Sequence, residues 1–117
     1  MEDFSLTFFI AVNADEKSII DIVKIRKDFG VKSYGRSWKR MTIGRNNIEI
    51  EQNEDYDKNL SLNNKDAFLY YQSNMYFYPY ENTVTVEEQI QLAKDICKTL
   101  KLSGISSEIV AEFEELL

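Results

Sequence analysis

Histidine is absent from this 117-residue chain, and cysteine and proline occur once each. Without histidine the commonest general base, the usual activator of a nucleophile and a major metal ligand are all missing. Most hydrolase schemes fail on that ground, and no catalytic residue and no metal site are expected. The single thiol, Cys97, has no partner for an internal disulfide, which agrees with a reducing compartment. It lies on the apolar side of a helical stretch flanked by Lys94, Lys98 and Lys101, where a structural core thiol is the expectation. The glycines Gly30, Gly35, Gly44 and Gly104 match neither a dinucleotide-binding fingerprint nor a P-loop, so no nucleotide cofactor is expected. No apolar run approaches the roughly 20 residues a membrane helix needs. The opening MEDFSLTFFIAVNADE is acidic and lacks a small-residue cleavage pattern, so it reads as a strand rather than a signal peptide. A cytoplasmic protein with no membrane partner is the expectation.

What is present is an ordinary globular composition with an uneven charge. Residues 1–117 read as a single domain, long enough to bury a core without disulfides or metals. Net charge is −6. Residues 1–45 carry nine Lys/Arg against six Asp/Glu, whereas residues 46–117 carry five against fourteen. An acidic excess repels nucleic acid and anionic lipid and attracts basic proteins.

Leu6, Phe8, Ile10 and Val12 share one parity with Phe4, which is the alternation of a strand with one buried face. Asn13 with Glu16 is positioned to cap a helix carrying Ile19, Ile22, Val23, Ile25 and Phe29 at helical spacing up to Gly30. SWKRMTIGRNNIEIEQNED reads as a hairpin turning at GRNN, with Met41, Ile43, Ile48 and Ile50 inward and Glu49 and Glu51 outward. Asn53 to Lys65 lacks periodicity and reads as a long loop. In FLYYQSNMYFYPYEN, Leu69, Tyr71, Met75 and Phe77 fall on one face and Tyr70, Tyr76, Tyr78 and Tyr80 on the other, the pattern of one long strand ended by Pro79. Thr85 with Glu88 forms a capping box for a helix ended by Gly104. Ser106 is then positioned to cap a last helix bearing Ile109, Val110, Phe113, Leu116 and Leu117. The expected class is α+β: two layers, a mainly antiparallel sheet with helices on one face, in the order β-α-β-β-β-α-α.

Two clusters carry the functional reading. The carboxylates Glu49, Glu51, Glu54, Asp55 and Asp57 lack the spacing of a calcium loop and surround Tyr56, a mixture of charge, apolar area and hydroxyl that suits a partner-binding epitope. Tyr76, Tyr78 and Tyr80 add aromatic anchors beside them. A second stretch, Lys24 to Arg45, holds eight Lys/Arg and interleaves Tyr34 and Trp38, which are ingredients for single-stranded RNA. The overall acidity and the lack of a ribonucleoprotein motif oppose that reading, and nucleic acid is not the expected partner.

The whole-chain pattern resembles the immunity proteins of bacterial toxin systems, in particular those paired with contact-dependent growth-inhibition toxins. The resemblance rests on FSLTFFIAV, the hairpin WKRMTIGRNNIEIEQNEDYD running into its acidic loop, FLYYQSNMYFYPYE and the tail SEIVAEFEELL. It implies a cytoplasmic protein that binds and neutralises one cognate toxin, often a nuclease, without catalysis. The alternative is an acidic secretion chaperone or adaptor that binds an effector segment, a class that usually works as dimers. The inhibitor reading favours a monomer and leaves a dimer open; an obligate dimer that binds an unfolded effector tail would favour the chaperone.

Overall fold

Residues 5–33, 41–63 and 65–117 are described by the computed structural model. The first strand, β1, spans Phe8–Val12, and its alternation buries Phe8, Ile10 and Val12 as the pattern predicts; Phe4 lies outside the described residues. Helix α1 follows at Glu16–Val23. Its N-cap is Asp15 rather than Asn13: the Asp15 carboxylate accepts the Ser18 N–H at 3.2 Å and the Ser18 hydroxyl at 2.6 Å. Asn13 instead donates its N–H to the Ser106 carbonyl.

The helical periodicity up to Gly30 overstates this element. The helix ends at Val23, Arg26 is extended, and a separate 3-10 turn at Lys27–Phe29 closes on Gly30 at φ 61°. The break has a tertiary cause. Arg26 donates to the Thr99 hydroxyl at 2.7 Å, pairs with Asp28, and sits 4.4 Å over the Phe29 ring, so the chain is pulled toward a later helix. Phe29 reaches the core and Ile25 is left 74% exposed.

Strand β2 (Lys32–Ser33) was not apparent in the sequence pattern; β3 (Met41–Ile43) and β4 (Asn46–Gln52) form the expected hairpin. Gly44 turns it at φ 59°, a backbone region that favours glycine. The loop after β4 contains a four-residue helix, α2 (Leu60–Asn63), and Asp57 caps it by accepting the Leu60 N–H.

The single long strand expected over residues 69–80 is shorter. Ala67–Tyr70 forms a 3-10 turn, and β5 spans Ser73–Pro79. Met75 and Phe77 are fully buried as predicted, but Leu69 is exposed and Tyr71 only half-buried. Asn53 explains the change: its side-chain amide donates to the Leu69 and Tyr71 carbonyls at 3.0 and 2.7 Å, bending that segment around itself. Helix α3 (Val86–Leu102) has Thr85 as its N-cap, accepting the Glu88 N–H.

The last helix expected after Ser106 is instead a strand. β6 (Ser107–Val110) lies antiparallel to β1, and only a 3-10 turn at Glu114–Leu116 follows. Ile109 and Val110 are β-branched and β1 needs a partner on that side; in so short an apolar run periodicity does not separate helix from strand.

All strand pairs are antiparallel, in the order β2-β3-β4-β5-β1-β6. The four strands β4-β5-β1-β6, joined through α1 and α3, have the β-α-β-β-α-β connectivity of a ferredoxin-like unit, and β2-β3 extends it beyond β4. The class is α+β. Inward side chains of β1, β3, β4 and β5 form one buried cluster with Ile19, Ile20 and Val23 of α1 and Ala93, Ile96 and Leu100 of α3. Both long helices therefore cover the same face.

One polar contact lies inside this layer. Asn46 and Gln89, each 1% exposed, pair side chain to side chain: Asn46 Nδ2 donates to Gln89 Oε1 at 3.1 Å and Gln89 Nε2 to Asn46 Oδ1 at 2.8 Å. Gln89 Nε2 also donates to the Leu6 carbonyl at 2.8 Å. Replacing Gln89 with Ala strands the Asn46 amide in the core, and an unsatisfied buried polar group costs about 1–3 kcal/mol. Urea unfolding of Gln89→Ala is expected to show that loss, and Gln89→Glu, which keeps the shape but removes the donor, a comparable one.

Candidate protein-binding face

Since both helices take one side of the sheet, the other side carries three cross-strand rows, of which one, Lys32-Thr42-Asn47-Tyr78, runs toward β2. Register places Glu49 opposite Tyr76, Tyr76 opposite Phe9, and Phe9 opposite Val110, so one row crosses four strands as Glu49-Tyr76-Phe9-Val110. The next row, two residues along and about 7 Å away, is Glu51-Asn74-Ala11-Glu108. Tyr78 stands beside Tyr76 with ring centroids 6.2 Å apart and nearly parallel, and Phe9 meets Tyr76 at 5.2 Å. These three rings are half-buried, held by one another. Together with Thr7 and Val110 they line a shallow groove of about 470 Å³. Glu112 lines this groove and accepts the Ser5 N–H, while Glu49, Glu51 and Glu108 are exposed at the ends of the rows, with no ion-pair partner among the described residues.

The expected epitope residues thus fall into three places. Glu49, Glu51, Tyr76 and Tyr78 come together on the open face. Glu54, Asp55, Tyr56 and Asp57 line a separate hollow of about 440 Å³ with Leu60, Leu69 and Tyr70. Asn53 shapes that loop, accepting the Asp55 N–H on its side chain at 3.0 Å while its own main-chain N–H donates to the Gln72 carbonyl. Asp57 is partly spent on capping α2. Tyr80 leaves the aromatic row: beyond Pro79, its N–H donates to the Arg45 carbonyl and its hydroxyl to the Gly44 carbonyl, tying it to the β3–β4 turn.

Phe9, Val110 and Glu108 belong to the face although the sequence reading did not select them. Phe9 had a signal, because FFIAV is apolar at both parities where a half-solvated strand alternates. Glu108 and Val110 had none once their segment read as helix.

Cys97 is partly buried rather than a full core thiol, and burial pushes its thiol up from the ordinary value, which opposes reactivity at neutral pH. Of the basic stretch Lys24 to Arg45, whose ingredients for RNA the overall acidity opposes, Tyr34 and Trp38 lie outside the described residues, while Arg26 and Arg45 are engaged with Asp28 and with Glu81 and Glu88. Among the described residues no helix is long and apolar enough to cross a membrane. Comparison with protein-family models, with curated proteins and with solved structures finds no match to this chain.

Burial, with the nearby charges of Glu49 and Glu51, raises the Tyr78 phenol above its ordinary value, since all of these disfavour the phenolate. A raised phenol in the folded state means the fold holds its proton longer than the unfolded chain does. Stability is therefore expected to fall as pH rises above about 10. The double substitution Glu49→Gln and Glu51→Gln should move the Tyr78 titration back toward the ordinary value without abolishing the shift, because burial is the larger cause; phenolate absorbance against pH, compared with Tyr78→Phe, reads it.

Proposed function

We propose that this protein is a non-catalytic inhibitor that binds a basic protein partner on the open sheet face, as an immunity protein binds its cognate toxin. The observation that carries the reading is the row Glu49-Tyr76-Phe9-Val110: half-buried rings that supply contact area, beside carboxylates that form no ion pair with the described residues. Aromatic side chains in the interior of a contact hold it together, and a rim of one charge sign steers a partner of the opposite sign. Phosphates would meet Glu49, Glu51 and Glu108 at the borders, so the same rings are poorly placed to stack nucleic acid bases.

Size argues that the two clusters act together. Four strands about 4.8 Å apart and five residues at about 3.3 Å each outline roughly 300 Å² in projection. A stable interface covers about 800 Å² on each partner. The contact therefore extends from the face onto Glu54, Asp55 and Tyr56, which follow directly from the end of β4. Nanomolar affinity, about 12 kcal/mol, is then within reach of a few buried anchors. A nuclease domain is the favoured toxin, because binding phosphate requires a cationic groove, and the cytoplasm is the compartment in which such a toxin acts.

A pull-down from the source strain identifies the partner, whose binding is then followed by surface plasmon resonance at several ionic strengths. Tyr76→Ala is expected to speed dissociation at least tenfold, about 1.4 kcal/mol or more. Glu49→Ala with Glu51→Ala should slow association and flatten its salt dependence. Kinetics unchanged by both sets would remove the open face from the interface, and single-stranded RNA binding lost with Tyr76→Ala would overturn the protein-partner reading.

A further inference from the structure

We propose that the outer edge of β6 pairs antiparallel with the same strand of a second copy, across a two-fold axis at Ile109. The main chain of Ser107–Val110 bonds to β1 on one side and, among the described residues, to nothing on the other. An unpaired strand edge is a template for another strand. Alongside it, between β6 and α3, lie two adjoining hollows of about 700 and 500 Å³ that share Cys97 and Ser107 as walls. Lys98 and Lys101 stand at the hollow beside the start of β6, and Glu108, Glu115 and Leu117 line the other. All four charged side chains are exposed and form no ion pair with the described residues.

A groove positive at one end and negative at the other selects its occupant. A uniformly basic strand would meet Lys98 and Lys101, and a uniformly acidic one Glu115. A second copy laid antiparallel brings the positive end of each against the negative end of the other, the self-complementarity of a two-fold interface. Register agrees. Residues opposite each other in an antiparallel pair point to the same face, and centring the axis on Ile109 sets Ile109 against its symmetry mate and Glu108 against Val110. The two glutamates at 108 therefore avoid direct opposition. The sheets join into one of twelve strands, twice the six of one copy, and the open faces of both copies lie on the same side.

Sedimentation velocity on the full chain, from micromolar to millimolar at about 0.15 M salt where the Debye length is about 8 Å, tests this. The expected result is a concentration-dependent shift from 13.7 kDa toward twice that mass. K101E and E115K, both at exposed positions, should each weaken the dimer about tenfold, since every reversal acts twice by symmetry; the double variant K101E/E115K should recover it. A 13.7 kDa species throughout the range overturns the proposal, as does a dimer that the double variant restores no better than either single one. Toxin binding lost with Tyr76→Ala while the dimer persists would separate this edge from the open face.

Discussion

The paired amides of Asn46 and Gln89 hold the first turn of α3 against the start of β4, and the arrangement of the layers depends on that junction. Two primary amides facing each other satisfy both donors and both acceptors only in a narrow range of positions, whereas apolar packing tolerates sliding. The Gln89 amide also reaches the Leu6 carbonyl, so the approach to β1 is registered by the same group. Outside the core, the contact is reinforced at the surface. Arg45 spans Glu81 and Glu88, and Tyr80 returns to the Gly44 carbonyl. A single corner, Gly44 to Asn46, thereby locates the hairpin relative to the helix. The ion pairs there are solvent-exposed and contribute little by themselves; the buried amides set the geometry.

Once α3 and α1 are committed to one face, the other face follows without further instruction. Every alternate residue of β4, β5 and β1 that is not in the core points away from the helices. Rings at Phe9, Tyr76 and Tyr78 shield one another, which limits the penalty of leaving them unlayered, and Ala11 between Asn74 and Glu108 leaves room for a flat neighbouring row. The acidic residues at the borders keep an otherwise adhesive patch solvated. The same composition suits a surface that remains in water until a charged partner displaces it.

Much of this was legible residue by residue. The parity of Phe8, Ile10 and Val12, the GRNN turn and the capping role of Thr85 each rest on contacts within a few residues, and each is observed. Parity places Met75 and Phe77 in the core and Tyr76 and Tyr78 on the opposite face, as observed, because β5 keeps strict alternation from Ser73. The misreadings share a cause. Arg26 breaks α1 by reaching Thr99, Asn53 bends residues 69–71 by bonding their carbonyls, and β6 forms because β1 offers an edge. In each case the partner is distant in sequence.

The sequence by itself determined the class, the one-sided burial of the strands, the start of α3 and the acidic character of the second half, since alternation, caps and charge are local properties of a chain. Only the tertiary structure decided that Phe9 and Tyr76 are neighbours, that Glu49 and Glu108 stand at opposite borders of one face, that Tyr80 serves the β3–β4 turn, and that the segment after Ser106 is a strand. Those outcomes depend on strand order and register, and hydrogen bonds between strands far apart in the chain leave no periodic mark on either one.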